Sequence, residues 1–366
     1  MDKNEIWRSY GTDYKEMTKR LLGRAGLAGD IPPEAVRIGI KPNLVTPSPA
    51  SFGGTTHPEV VAGIIEYLQE NGFRSITIAE GSWVGDRTSE AFEYCGYNEL
   101  TRTYGVGLLD TQKDTVFEAD CAGMKLRICG CVREFDYLIN VPVLKGHCQT
   151  KITCALKNMK GLIPNSEKRR FHKLGLHRPI AHLNAAVRPD FIVVDHICGD
   201  LDFEEGGNPV VRNCVMAAKD PVLTDAFVCS LLGYSPDEVP YIRLAEELGA
   251  GSADLSDLRL ITCEGEAAED LPRERKILSV SYAVDESESC SACYGSLIPA
   301  LDRLKKEGLL DRLPGPVAIG QGHRGKTGRI GVGNCTSGFD LCIKGCPPSE
   351  EDIYEGLRRI CEEAGR

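Results

Sequence analysis

The sequence lacks most of the features that assign a protein quickly. No apolar run reaches membrane-spanning length, and Met1 to Arg8 carry charges where an export signal would be apolar. Basic residues are outnumbered. The 43 lysines and arginines against 53 aspartates and glutamates leave a formal net charge of -10, which argues against a general nucleic-acid binder. No low-complexity tract or internal repeat interrupts the 366 residues. Familiar catalytic signatures are missing too. Gly325-Lys326-Thr327 lacks the earlier glycine of a phosphate-binding loop, and no strand–Gly-x-Gly-x-x-Gly–helix fingerprint occurs in the first part of the chain. There is no serine nucleophile elbow and no His-Glu-x-x-His. These absences lead to the expectation of a soluble cytoplasmic protein with no membrane span and no nucleic-acid partner.

What the chain does have is cysteine, 16 of them. In a small secreted protein they would form a disulfide framework, but in a large chain without an export signal clustered cysteines bind metal or react. Cys198, Cys229 and Cys263 lie in apolar or helical stretches and read as inert small hydrophobes. The clustered ones are Cys290-Ser-Ala-Cys293, Gly333-Asn-Cys335 and Gly345-Cys346-Pro-Pro. Four thiolates are the usual ligand set of a four-iron four-sulfur cluster, and a two-residue gap lets one loop supply two of them. Glycine before a ligand lets backbone N–H groups approach the cluster sulfurs, and Pro347-Pro348 stiffens the loop bearing Cys346. A structural zinc site is the alternative, although zinc ribbons use two short Cys-x-x-Cys pairs. A reactive dithiol at Cys290 and Cys293 is a third reading. Cys342 is the substitute ligand.

Four apolar, β-branched runs punctuate the first 200 residues: Val36–Ile40, Ser75–Ala79, Tyr137–Val143 and Phe191–Val194. Between the first two, Thr55-Thr56-His57-Pro58 starts a helix with Val60, Val61, Ile64, Ile65 and Leu68 on one face, ending at Gly72. Nearly all-apolar strands alternating with helices imply an α/β fold, a doubly wound and mainly parallel sheet, with a second, smaller α/β cluster-binding domain. The expected division is 1–265 and 266–366, with a linker at Glu264 to Arg275. In the second domain the pattern predicts a strand at Ile277–Val284, a helix through Leu297, Leu301, Leu304 and Leu309, and a closing helix from Ser349 whose first turn holds Glu350, Glu351 and Asp352.

In open parallel sheets ligands bind beyond the carboxyl ends of the strands. All four runs end in charge: Lys41-Pro-Asn43, Glu80-Gly81, Lys145-Gly-His147 and Asp195-His196. The helix start at Gly53 to His57 adds backbone donors suited to an anion. Between Lys145 and Arg178 stand nine lysines and arginines and one acid, Glu167. This patch suits phosphate, carboxylate or sulfonate. Lys41, Asn43, His57, Lys157, Asn158, Lys160, Arg169 and Arg170 are the candidate ligand-binding residues. Lys145, His147, Glu80 and Asp195 are the candidate catalytic ones, with His147 as proton donor or acceptor and the two acids orienting their partners. The alternative is a solvated face paired with the acidic stretch Asp200 to Glu205.

Two resemblances follow from these motifs. Cys290-x-x-Cys293, Gly333-x-Cys335 and Gly345-Cys346-Pro-Pro resemble the cluster motif of nickel–iron hydrogenase small subunits, and the Gly-Cys-Pro-Pro element is shared with a related quinone-oxidoreductase subunit. That resemblance covers residues 290–350 and implies a four-iron four-sulfur cluster passing single electrons. Residues 36 to 265 resemble the domain-of-unknown-function 362 family. The shared elements are Lys41-Pro-Asn-Leu-Val45, His57-Pro-Glu59, Asn140-Val-Pro-Val-Leu-Lys145-Gly-His147, Ala155-Leu-Lys157-Asn158-Met-Lys160-Gly161, Asp195, and Ala218-Lys219-Asp220-Pro221 with Asp225. Members often carry iron–sulfur segments beside this domain, usually of ferredoxin spacing, from which the dispersed cysteines here depart. Together the readings point to an iron–sulfur oxidoreductase acting on a small anionic ligand, with a redox partner protein. The competing readings are a non-enzymatic electron-transfer or scaffold subunit and a lyase using the cluster as a Lewis acid. A flavin is left open.

Overall fold

Apolar strands frame the molecule, and the computed structural model describes residues 1–147, 149–266 and 279–364. The chain divides into two compact units: Met1–Gly146 with Ile152–Leu271, and His147–Lys151 with Pro272–Arg366. In chain order the strands are β1 (Glu5–Tyr10), β2 (Arg37–Pro42), β3 (Ser75–Glu80), β4 (Gly107–Asp110), a hairpin of β5 (Val116–Cys121) and β6 (Met124–Cys129), and β7 (Tyr137–Val141). A short hairpin of β8 (Lys145–His147) and β9 (Lys151–Thr153) precedes β10 (Phe191–His196), β11 (Cys214–Ala218) and β12 (Arg259–Glu264).

Eight of these strands form one sheet in the order β12-β1-β11-β10-β7-β2-β3-β4. β11 runs against both its neighbours, β1 and β10, and the other pairings are parallel. The four apolar runs of the sequence are β2, β3, β7 and β10, side by side in the middle of the sheet apart from β3, one place from the edge. Both faces are covered. Along β10, Phe191 and Val193 join one apolar cluster while Ile192 and Val194 join the other, as the two-residue period of a strand requires.

The helix Pro58–Glu70 shows how one covering layer arises. Proline at its first position has a backbone angle already suited to the helix, and Val60, Val61, Ile64, Ile65 and Leu68 are all fully buried. Each such side chain contributes roughly 1.5–3 kcal/mol of burial. The helix stops at Asn71, and Gly72 follows with φ of 91°.

In the second unit, β13 (Val284–Glu286), β14 (Val317–Ile319), β15 (Ile330–Val332) and β16 (Leu341–Ile343) form a small all-parallel sheet in sequence order. The helices Ser291–Lys306 and Glu350–Ala364 belong to the same unit, burying Leu297, Leu301 and Leu304 from one, and Ile353, Leu357 and Cys361 from the other. Leu309 falls past the helix end. The strand expected at Ile277–Val284 begins only at Val284. Residues 277 and 278 lie outside the described residues, and 281–283 form a 3-10 turn. The reason is the partner: β14 is three residues long and offers pairing only to Val284, Asp285 and Glu286. Among the described residues no helix is long and apolar enough to cross a membrane.

Candidate functional site

Because β2, β3 and β7 are parallel, their carboxyl ends bring Lys41 to Asn43, Glu80 to Ser82 and Val143 to Lys145 to the same end of the sheet. Lys41 is 1% exposed and donates to the Glu80 carboxylate, to Pro42 O at 2.6 Å and to Asn158 Oδ1 at 3.1 Å. Burial draws its pKa down, with Glu80 opposing. Gly161 presses so closely on this pair that a Cβ there would stand 2.2 Å from Glu80 Oε1 and 2.6 Å from Lys41 Nζ. Asn158 is held in turn by Asn140, donating to its Oδ1 at 2.7 Å.

Four more lysines extend this pair into a row. Lys168 reaches in from the helix Asn165–Leu174 and donates to the carbonyls of Gly81 and Ser82, both at 2.8 Å. Lys157 pairs with the Glu204 carboxylate and donates to Thr153 Oγ1 at 3.1 Å. Lys145 donates to Gly54 O at 2.5 Å, Glu204 O at 2.7 Å and Asn43 Oδ1 at 3.2 Å. Lys160, half-buried in the 3-10 turn Met159–Leu162, lies within electrostatic reach of Lys157, Glu204 and Lys168. Burial, then the neighbouring Lys157, pulls its pKa down to about 7. Burial likewise takes Lys145 and Lys168 to about 8 each. Among the described residues, five lysines therefore share two directly paired carboxylates, Glu80 and Glu204, with Glu205 and Asp200 acting on Lys145 and Asp110 on Lys168 at longer range. Such a surplus of poorly hydrated positive charge is relieved by an added anion.

The structure thus brings together Lys41, Asn43, Glu80, Lys145, Lys157, Asn158 and Lys160. It leaves out Arg169 and Arg170, which are exposed; Arg170 pairs with Glu167 and donates to Lys125 O at 2.9 Å. Lys168 enters instead, because it shares the buried face of its helix with Phe171, three residues on. The acidic stretch supplies Glu204, so the pairing weighed as the alternative does occur, at Lys157. His147 lies in the segment His147–Lys151, and its Nδ1 accepts the backbone N–H groups of Gln149 at 3.0 Å and Thr150 at 3.1 Å. A cavity of about 420 Å³ near Asp30, Tyr137, Arg188 and Lys219 sits at the opposite, amino-terminal end of β7, and its Lys219 and Tyr137 are already bonded to Asp30.

The helix start expected to bind an external anion carries an internal one. Asp195 Oδ2 accepts the backbone N–H of His57 at 2.7 Å and meets its ring Nδ1 at 2.8 Å, while Oδ1 accepts Ile197 N–H at 3.0 Å. Burial opposes charge on His57, but Asp195 outweighs it and lifts the imidazole pKa to about 10. On the far side of the ring, Nε2 stands 3.5 Å from the sulfur of Cys198.

In the second unit every strand end leads into a loop that matters to the cysteine set. Cys290 follows β13, Gln321 and Arg324 follow β14, Cys335 follows β15, and Cys346 follows β16. Cys293 sits in the first turn of the helix Ser291–Lys306. The loops are bonded to one another: Gly333 N–H donates to Ile343 O at 2.8 Å, and Asn334 N–H to Gly345 O at 2.9 Å. Gly333 (φ 88°, ψ 161°) has a backbone open only to glycine, and a Cβ there would stand 3.9 Å from Cys293 Sγ. Burial first, then Cys290, Cys346 and Cys335 in turn, pushes the Cys293 thiol up to about 12. Burial and Cys335 also raise Cys290, whose sulfur accepts from Gln321 Nε2 at 3.5 Å. Arg324 Nε stands 3.4 Å from Cys335 Sγ. Cys342 faces Thr336 Oγ1 at 3.6 Å and Gly333 O at 3.7 Å instead. Among the described residues, no three histidine, cysteine or acidic side chains close on a single metal-ion position.

Comparison with known proteins gives one curated relative, the thylakoid-associated protein sll1697 of Synechocystis sp., 26% identical over 245 residues that cover 63% of this chain and 74% of that protein. Among solved structures, the lactate racemase apoprotein from Thermoanaerobacterium thermosaccharolyticum is 15% identical with a TM-score of 0.38, over 60% of this chain and 55% of that one. A structural-genomics crystal structure from Thermotoga maritima is 13% identical with a TM-score of 0.40, over 61% of this chain and 60% of that one. The chain spans less than two thirds of either solved protein. A family model, domain of unknown function (DUF362), matches residues 38–230, more than half of the sequence and the part that holds the lysine row. The chain belongs to the DUF362 family.

Proposed function

We propose that this chain is an iron–sulfur redox protein. In this reading Cys290, Cys293, Cys335 and Cys346 hold a four-iron four-sulfur cluster, and the lysine row of the first unit holds a small ligand bearing phosphate, carboxylate or sulfonate. The observation that carries it is the gathering of four thiols, three on loops and one in a first helical turn, beyond the carboxyl ends of one small parallel sheet, with Cys290, Cys335 and Cys346 within electrostatic reach of Cys293. Burial chiefly, and then the neighbouring thiols, keep the protons on Cys290 and Cys293; bound iron would supply the positive charge that lets four thiolates coexist. A cubane takes one thiolate on each of its irons, so its ligands need not close on one ion. When bound, such a group supplies one-electron transfer. The chain's own part is to place Gln321 and Arg324 as donors to the sulfurs, a contact that tunes potential. The likeness of Cys290-x-x-Cys293, Gly333-x-Cys335 and Gly345-Cys346-Pro-Pro to the hydrogenase small-subunit motif supports the same four residues.

In the first unit, Lys160 and Lys157 would take the anion's charge, Lys145 and Asn43 would orient it, and the Glu204 carboxylate now on Lys157 would be displaced. Ligand variants test the cluster assignment. Cys335→Ser and Cys346→Ser should lose iron and the reduced paramagnetic signal, whereas Cys342→Ser should keep both. Full iron in Cys335→Ser would sink the assignment.

A further inference from the structure

The third strand-end constellation, at β10, is used by neither the lysine row nor the cysteine set. His57 lies between a carboxylate and a thiol: Nδ1 is 2.8 Å from Asp195 Oδ2, and Nε2 is 3.5 Å from Cys198 Sγ. The carboxylate is immobile, held by the His57 and Ile197 backbone N–H groups. This fixes which ring nitrogen faces the acid and leaves the other for the sulfur. Tyr14 packs edge-on to the imidazole with ring centroids 5.6 Å apart. The Cys198 thiol also donates to Ala50 O at 3.4 Å, in the short turn Ala50–Phe52. That turn ends at Gly53, whose backbone passes so near that a Cβ would lie 2.6 Å from Cys198 O. Phe52 in the same turn is 53% exposed, while Cys198 itself is 6% exposed.

We infer that Cys198 is a nucleophilic thiol activated by His57 and oriented by Asp195, and that it accepts acyl groups from activated esters or thioesters of small carboxylic acids. Acyl transfer is the chemistry that needs an imidazole twice at one sulfur, first to give a proton and then to take one. Attack of the Cys198 thiolate on the acyl carbon forms a C–S bond and breaks the bond to the alcohol or thiol, which leaves with the proton from His57 Nε2. Water then adds to the acyl carbon, giving its proton to His57. Carboxylic acid is released and the thiolate–imidazolium pair is restored. The raised pKa of His57 agrees with the first step, because the ring is protonated at neutral pH.

The test uses the full-length chain, purified anaerobically with its metal, and locates adducts by peptide mass mapping. Iodoacetamide at neutral pH should label Cys198 ahead of Cys121, Cys129 and Cys214, and p-nitrophenyl acetate should leave an acetyl adduct on it. His57→Gln should slow both reactions at Cys198 by roughly tenfold or more while retaining the native circular dichroism spectrum. Asp195→Asn should slow them too, but it also removes the cap of the helix Pro58–Glu70, so the His57 variant decides. The inference is overturned if Cys198 reacts only after denaturation, or if His57→Gln labels at the wild-type rate. Neither outcome depends on iron or on the lysine row.

Discussion

At the scale of the residue, Lys160 is the most informative side chain of the first unit. Its pKa falls from 10.5 to about 7 on folding, chiefly through burial. Below about pH 7 the amine is charged in both states, so the folded protein bears the full cost of burying it. As pH rises from 7 towards 10.5 the unfolded chain keeps a proton that the folded chain has released, so stability increases with pH across that window. Lys160→Met should therefore stabilise the protein near neutral pH, by about 1–3 kcal/mol in urea melts, and the gain should vanish near pH 10. A gain independent of pH would contradict the burial argument. The same variant reports on the anion. Phosphate should raise the Tm of the wild type and have little effect on Lys160→Met, and Lys157→Ala should lose affinity in a titration. Lys41→Met should be costly, about 3–5 kcal/mol, because it leaves Glu80 buried without its partner. Residue types here were legible from the sequence, but their directions were not. The sequence pointed to Arg169 and Arg170 and passed over the adjacent Lys168, and only the register of the helix Asn165–Leu174 separates them. The pairing of His57 with Cys198 spans 141 positions and leaves no local signal.

At the scale of the element, glycines at strand ends set the second unit's geometry. Gly320 (φ 117°, ψ 168°) follows β14 and Gly333 (φ 88°, ψ 161°) follows β15, both in a region nearly closed to other residues. Alanine at either should cost about 1–3 kcal/mol in thermal melts, and Gly333→Ala should also lower iron content, since it strains the backbone two residues before Cys335. Wild-type stability in both variants would mean that these loops adjust freely. Elements differed in legibility for a physical reason. β2, β3, β7 and β10 are covered on both faces and read as continuous apolar runs. β1 and β12 carry Arg8, Arg259 and Glu264 near one margin of the sheet, where charge meets water. β11, the antiparallel member, is short and alanine-ended, and its direction depends on the chain connection rather than on composition.

At the scale of the whole molecule, parallel sheets determine where chemistry can sit. In each unit the side chains of interest lie beyond strand carboxyl ends, where loops from distant parts of the sequence converge. The α/β class and this placement could be read in advance from apolar runs ending in charge. The partners of the internal carboxylates could not: Asp195 was in view as an orienting acid and Glu204 as part of the acidic stretch. That they pair with His57 and Lys157, where the sequence also suggested an incoming anion, is seen only in the structure. The central claim is the cluster, and its most direct measurement is iron and acid-labile sulfide analysis of the anaerobically purified chain with a dithionite-reduced electron paramagnetic resonance spectrum. About four irons and four sulfides per chain, with a signal on reduction, is the expected result. Zinc without sulfide, or iron retained after Cys290, Cys293, Cys335 and Cys346 are all changed to serine, would contradict it.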